Sequence, residues 1–233
     1  MLYTAALVIA MSAVPQVAIV LNPEAGSSAT GVPIGAYDTR LARELAGDLE
    51  ARGISTAIVG HEAVPAYSRL AILLHHHAIH AEWIKKGYAP EFYGFALGLA
   101  NANADSRTTV ACTRMIGTAL RQIGEVPSLY RSFKLPGLGQ PLLDTSLGIH
   151  FAKGKPELLA YKGAALELEV GIVSHPQDAK RLADPVVVAG VADAIASGVD
   201  ECFNPTADDD ADEPDDDERL EQARPFVDPE MFK

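Results

Sequence analysis

The chain has 233 residues, 48% of them apolar, and a formal net charge of -12. That is enough apolar material for a core of ordinary size, so a small scaffold that depends on cross-links is excluded. The charge is concentrated at one end. From Asn204 to Lys233 twelve acidic residues stand against Arg219, Arg224 and Lys233, so this segment carries -9 and the rest -3, with no Lys/Arg cluster of the kind nucleic-acid binding needs.

Residues 2–13 (LYTAALVIAMSA) are apolar with a small-residue end but no preceding Lys or Arg. They read as an imperfect export signal, an extra strand or partner-binding arm, or a mis-assigned start, and are too short to span a bilayer. Val17 to Leu21 is a continuous β-branched run and reads as a strand buried on both faces. A Gly/Ser/Thr/Pro loop follows over 26–35. Asp38 then reads as the N-cap of a helix whose Leu41, Ala42, Leu45, Ala46 and Leu49 share a face and which Gly53 ends. Thr56 to Val59 is the next expected strand, and Leu70 to Leu74 a third that runs into His75, His76 and His77.

Strand, helix and strand in this order imply a right-handed crossover and a mainly parallel sheet. Further strands are expected at 93–100 and 165–173, and helices at 106–123, 176–182 and 186–196. The Gly/Pro-rich stretch 127–156 reads as irregular surface loop with short extended pieces. The resulting expectation is a single three-layer α/β domain over 16–203, with a twisted, mainly parallel sheet flanked by helices. Residues 1–15 form an apolar arm before it. Residues 204–233 form an acidic tail that cannot bury apolar surface, and a short apolar end at 225–233 suits a docking peptide. The two cysteines, Cys112 and Cys202, sit in segments of unlike character and read as two buried, reduced thiols.

Two places can carry chemistry. His75 and His77 end a parallel strand, where open α/β sheets bind ligands, and alternation turns both to one side, so they could share a metal. The plain alternative is one buried, hydrogen-bonded histidine and exposed neighbours. The second place is Glu167 and Glu169, two residues apart within an apolar strand and so on one face. Buried carboxylates are rarely there without a partner or a task. The alternative is an edge strand with one polar face.

The stretch Leu168-Glu169-Val170-Gly171-Ile172-Val173-Ser174-His175-Pro176-Gln177-Asp178, with Arg181 to Pro185 and a final helix, resembles the closing "V-E-x-G-F-x-S-N-P-x-D" motif of the zinc-dependent N-acetylmuramoyl-L-alanine amidases. Leu73-Leu74-His75-His76 is similar to that family's "S-I-H-H" strand end, and the helix from Asp38 to its first helix. The resemblance covers roughly residues 16–203 and implies a peptidoglycan-cleaving zinc hydrolase. In such an enzyme His75 would bind zinc and Glu169 would take the proton of the metal-bound water. It also implies action outside the cytoplasm on a peptidoglycan fragment.

This sequence departs from the pattern at two ligands. The family's "D-x-G-H" histidine faces Asn22-Pro23-Glu24-Ala25-Gly26 here, and the glutamate opening the first helix is replaced by Ala36. A catalytic zinc normally has three protein ligands and an open position. The expectation is therefore a degenerate member in a binding or structural-subunit role, with peptidoglycan or a protein as partner and attachment through 1–15 and 225–233. The rival is an active enzyme with a rebuilt zinc site, using His77, Glu24 or Asp38 as substitutes.

Overall fold

In a computed structural model, the described residues are 14–21, 26–60, 67–87, 92–100, 103–134, 138–152, 158 and 160–205. Val17–Leu21 forms β1, with the four residues Val17 to Val20 buried, as a two-sided apolar run requires. Thr56–Gly60 is β2 and Leu70–His77 is β3, and both pair with β1 in parallel. Ala96–Leu99 is β4, Leu142–Asp144 is β5, Ile149–Phe151 is β6 and Ala164–Ile172 is β7. These make one seven-stranded sheet in the order β2-β1-β3-β7-β4-β6-β5. It is mostly parallel; β7 runs antiparallel to β4, and β5 to β6.

The molecule is thus a single α/β domain. Three long helices share one face of the sheet: α1 (Ile34–Ala51), α3 (Ser106–Gln122) and α5 (Pro185–Phe203), while α2 (Ala81–Lys85) and α4 (Pro176–Arg181) are short. Their apolar stripes meet Leu70, Ile72, Leu74, Leu166 and Leu168 in the main core. The alternate residues Ala18, Val20, Ala71, Leu73 and Ala165 face the other way, under Leu158 and Tyr161. No helix among the described residues is long and apolar enough to cross a membrane.

Two expectations need correction, and two others are narrowed. Asp38 does not cap α1. The helix begins four residues earlier, after Pro33, because Ile34 and Tyr37 already belong to the buried stripe that continues through Leu41, Ala42, Leu45 and Leu49. Asp38 lies within that stripe, fully buried. The cysteines are not reduced thiols: Cys112 of α3 and Cys202 of α5 form a disulfide, since the packing of these two helices brings their Cα atoms to 5.0 Å. Of the two readings of the strand that carries Glu167 and Glu169, the edge-strand alternative falls, for β7 lies between β3 and β4 with all nine residues buried. The short extended pieces expected within 127–156 are β5 and β6, and the same stretch, read as surface, places Tyr130 and His150 in the interior. The expected arm at 1–13, Glu24 and the acidic tail from 206 lie outside the described residues.

Candidate active site

The period of a strand sorts the three histidines of β3. His76 turns to the helical face. There Asp38 of α1 accepts from its backbone N–H at 2.7 Å, and the same Oδ1 lies 2.8 Å from His76 Nδ1. Both side chains are buried, so this pair is an internal tie between α1 and the sheet. Asp38 is thereby committed to His76 and is not part of the group formed by the other two histidines.

His75 and His77 turn to the opposite face. Register places His75 beside Glu169 of β7, and a bulge follows before His77 pairs with Ile172. Glu167 and Glu169 point to the same face, as their spacing implies. His75 Nε2 lies 2.8 Å from Glu167 Oε1, so the carboxylate accepts from this nitrogen and orients the ring. His75 Nε2 also lies 3.8 Å, and His77 Nδ1 3.9 Å, from Glu169 Oε1. The ligand atoms of His75, His77 and Glu169 all lie within 4.8 Å of one another.

Room for this buried polar row is made by Gly98 on β4, where a Cβ would stand 3.0 Å from Glu167 Oε2 and 3.2 Å from His150 Nε2. His150 pairs with Gly98 from β6 and is itself buried. The far side of the site is built by the 3-10 turn Tyr130–Ser132. The Tyr130 hydroxyl contacts His77 Nε2, with the rings stacked at 5.0 Å between centroids. The Arg131 guanidinium contacts Glu169 Oε1. Beyond that ion pair the Glu169 carboxylate accepts no hydrogen bond among the described residues.

The motif that follows Glu169 is structural. Asp178 Oδ2 accepts from the backbone N–H of Gly94 at 2.8 Å and of Ile172 at 3.0 Å, and Ser174 Oγ accepts from Ile79 N–H at 2.9 Å. These bonds tie the end of β7 to the exits of β3 and to the approach to β4. A cavity of about 460 Å³ opens beside the site, between α2 and the 3-10 turn. Its walls include His77, His80, Trp83, Lys86, Tyr130 and Arg131.

Of the residues expected to act, His75, His77 and Glu169 are brought together, Asp38 is not among them, and Glu24 lies outside the described residues. Tyr130, Arg131 and His150 escaped sequence reasoning. They sit in a stretch with no helical or strand period, and the only signal was a Tyr-Arg pair and a lone histidine between Ile149 and Phe151. Ala36 lies in the first turn of α1 and offers no ligand there.

A carboxylate–histidine cluster thus lies at the ends of strands β3 and β7 of an α/β sheet, and known structures narrow the fold further. The fold is that of the N-acetylmuramoyl-L-alanine amidases. Ami1 from Mycobacterium smegmatis superposes with a TM-score of 0.62 at 14% identity, covering 82% of this chain and 99% of its own. The apo form of Ami1 from Mycobacterium abscessus gives 0.59 at 11% identity, covering 82% and 100%. The CwlD amidase from Clostridioides difficile, solved in complex with the GerS lipoprotein, gives 0.55 at 11% identity, covering 81% and 98%. No protein-family model and no curated protein sequence matches the chain.

The residues present do not fit the zinc site that this fold brings to mind. A hydrolytic zinc needs three protein ligands and, apart from them, a base for the bound water. Here Glu169 would have to serve in both roles. Its carboxylate already faces Arg131, and the nitrogen of His75 nearest to it is engaged by Glu167.

Proposed function

We propose that this chain is an amidase-derived domain that does not hydrolyse the lactyl amide and serves as a binding module or structural subunit. The observation that carries the reading is the guanidinium of Arg131 on the Glu169 carboxylate. It directs that group's lone pairs to an internal cation rather than to a water. Ala36 in the first turn of α1 supports the same reading, because a methyl group coordinates nothing. Fold by itself confers no activity.

What remains is a buried polar site beside an open cavity of about 460 Å³ with aromatic and cationic walls. A peptidoglycan fragment is the ligand the fold favours, and the cavity has the size of small-ligand sites. A protein partner is the other occupant in keeping with the fold, given that CwlD was solved with a lipoprotein bound. Residues 1–15 and 225–233 are the proposed attachment segments.

The test is to supply zinc to the purified protein, measure its metal content, and assay stem-peptide release from muropeptides, with His75→Ala as control. The expected result is no stoichiometric metal and no release. The convergence of His75, His77 and Glu169 favours one rival, a rebuilt zinc centre. Stoichiometric zinc lost in His75→Ala, together with peptide release, would establish that rival. For the subunit role, deleting residues 225–233 should weaken co-purification with a partner, and unchanged co-purification removes the docking peptide from the account.

A further inference from the structure

We propose that the Arg131 guanidinium is the resident cation of this site, and that its removal opens His75, His77 and Glu169 to one divalent transition-metal ion. The inference rests on the non-hydrolytic reading above and explains what holds the site without metal.

A carboxylate as buried as Glu169, 1% exposed, needs a counter-charge or hydrogen-bond donors. Among the described residues it has no hydrogen bond, so Arg131 supplies the compensation as an ion pair. The same Oε1 atom that meets Arg131 lies 3.8 Å from His75 Nε2 and 3.9 Å from His77 Nδ1. Ligands at about 2.0–2.2 Å from a tetrahedral ion stand roughly 3.3–3.6 Å apart. Each histidine nitrogen thus needs to close on that oxygen by only a few tenths of an ångström, and the three ligand atoms already lie within 4.8 Å of one another. Two imidazoles and a carboxylate suit zinc and its neighbours in the first row rather than magnesium or calcium.

Arg131 is not embraced by a cradle of its own. It enters from a three-residue 3-10 turn rather than from a strand, and its buried Nε has no hydrogen-bond partner among the described residues. Its place is set by charge, on the oxygen a metal would use. A guanidinium and a divalent ion cannot share that oxygen without strong repulsion in a site this dry. Glu167 Oε1 lies 2.8 Å from that same His75 Nε2, so an ion taking this nitrogen displaces its proton and leaves the Glu167 carboxylate beside it as a fourth oxygen donor.

The experiment compares wild type with Arg131→Met, Arg131→Lys and the double variant Arg131→Met/His77→Ala, all stripped with chelator. Zinc affinity is read by competition with a chromogenic chelator, and cobalt absorption reports the coordination number. Arg131→Met should bind one zinc, on the order of tenfold to a hundredfold more tightly than wild type. Arg131→Lys, which keeps the charge, should behave as wild type, and the double variant should lose the site. A folded Arg131→Met protein with no gain in affinity overturns the proposal and leaves the non-hydrolytic reading standing. Equal, stoichiometric zinc in wild type and Arg131→Met overturns the proposal, and peptide release by that wild-type protein would end the non-hydrolytic reading separately. If Arg131→Met does not fold after stripping, it is refolded with and without zinc. A cooperative melt only with zinc supports the proposal, and no melt in either condition overturns it.

Discussion

The pair formed by Asp38 and His76 shows how a single buried carboxylate can join two elements. Asp38 Oδ1 serves both the backbone N–H and the ring of His76, so losing it strands two polar groups in the core. Asp38→Ala should cost roughly 2–4 kcal/mol of unfolding free energy, and Asp38→Asn, which retains an acceptor, less. Urea denaturation measures both; a loss below about 0.5 kcal/mol for the alanine variant would place the tie elsewhere. Glu125 gives a second prediction. Burial pushes its carboxyl above the ordinary range by more than the adjacent Arg181 pulls it down. The native state then holds that proton more tightly than the unfolded chain does. The associated stability is complete below the ordinary glutamate pKa and is lost as pH rises through the raised value. The stability of wild type relative to Glu125→Gln should therefore fall as pH rises through that window. A difference that grows with pH would mean that the Arg181 pair outweighs burial.

At the scale of elements, the crossing of α3 and α5 depends on a missing side chain. A Cβ on Gly198 would stand 2.6 Å from Ile116 Cα and 2.7 Å from Ile116 N, which are backbone atoms and cannot turn aside. Alanine at 198 gains up to about 1 kcal/mol in helix propensity but must push the helices apart. The overpacking term should win, for a net loss of about 1–2 kcal/mol. Thermal and urea unfolding of Gly198→Ala would show this, and an unchanged or raised midpoint would contradict the tight crossing. The same scale explains what could be read in the sequence. The strand and helix runs of β1, α1, β3, α3 and β7 are long enough to show their period. Strands β5 and β6, three residues each, are too short to alternate visibly, so 127–156 could be read only as loop with short extended pieces whose positions stayed open. The same stretch carries Arg131, whose place in the site no period of the sequence marks.

For the molecule as a whole, the Cys112–Cys202 disulfide joins two of the three helices on one face across 90 residues of sequence. By the chain-entropy account a loop of that length contributes roughly 4–5 kcal/mol against unfolding. Cys112→Ser/Cys202→Ser should lower the urea midpoint accordingly, and reduction of the wild type should reproduce the effect. A shift under about 1 kcal/mol would show that packing of the helices already suffices. Such a bond persists in oxidising surroundings.

By itself the sequence determined the α/β class, the faces of β3 and β7, and the candidacy of His75, His77 and Glu169, because period and residue type are local properties. The likeness to the amidase fold was also legible, in the order of motifs along 16–203. Only the tertiary structure decided the rest. It moved Asp38 from a helix cap to a buried partner of His76, joined two cysteines from distant helices, and carried Arg131 from an apparent loop onto Glu169. Each of these depends on which groups a folded chain brings within a few ångströms, and a buried charge finds its partner by proximity in space rather than in sequence.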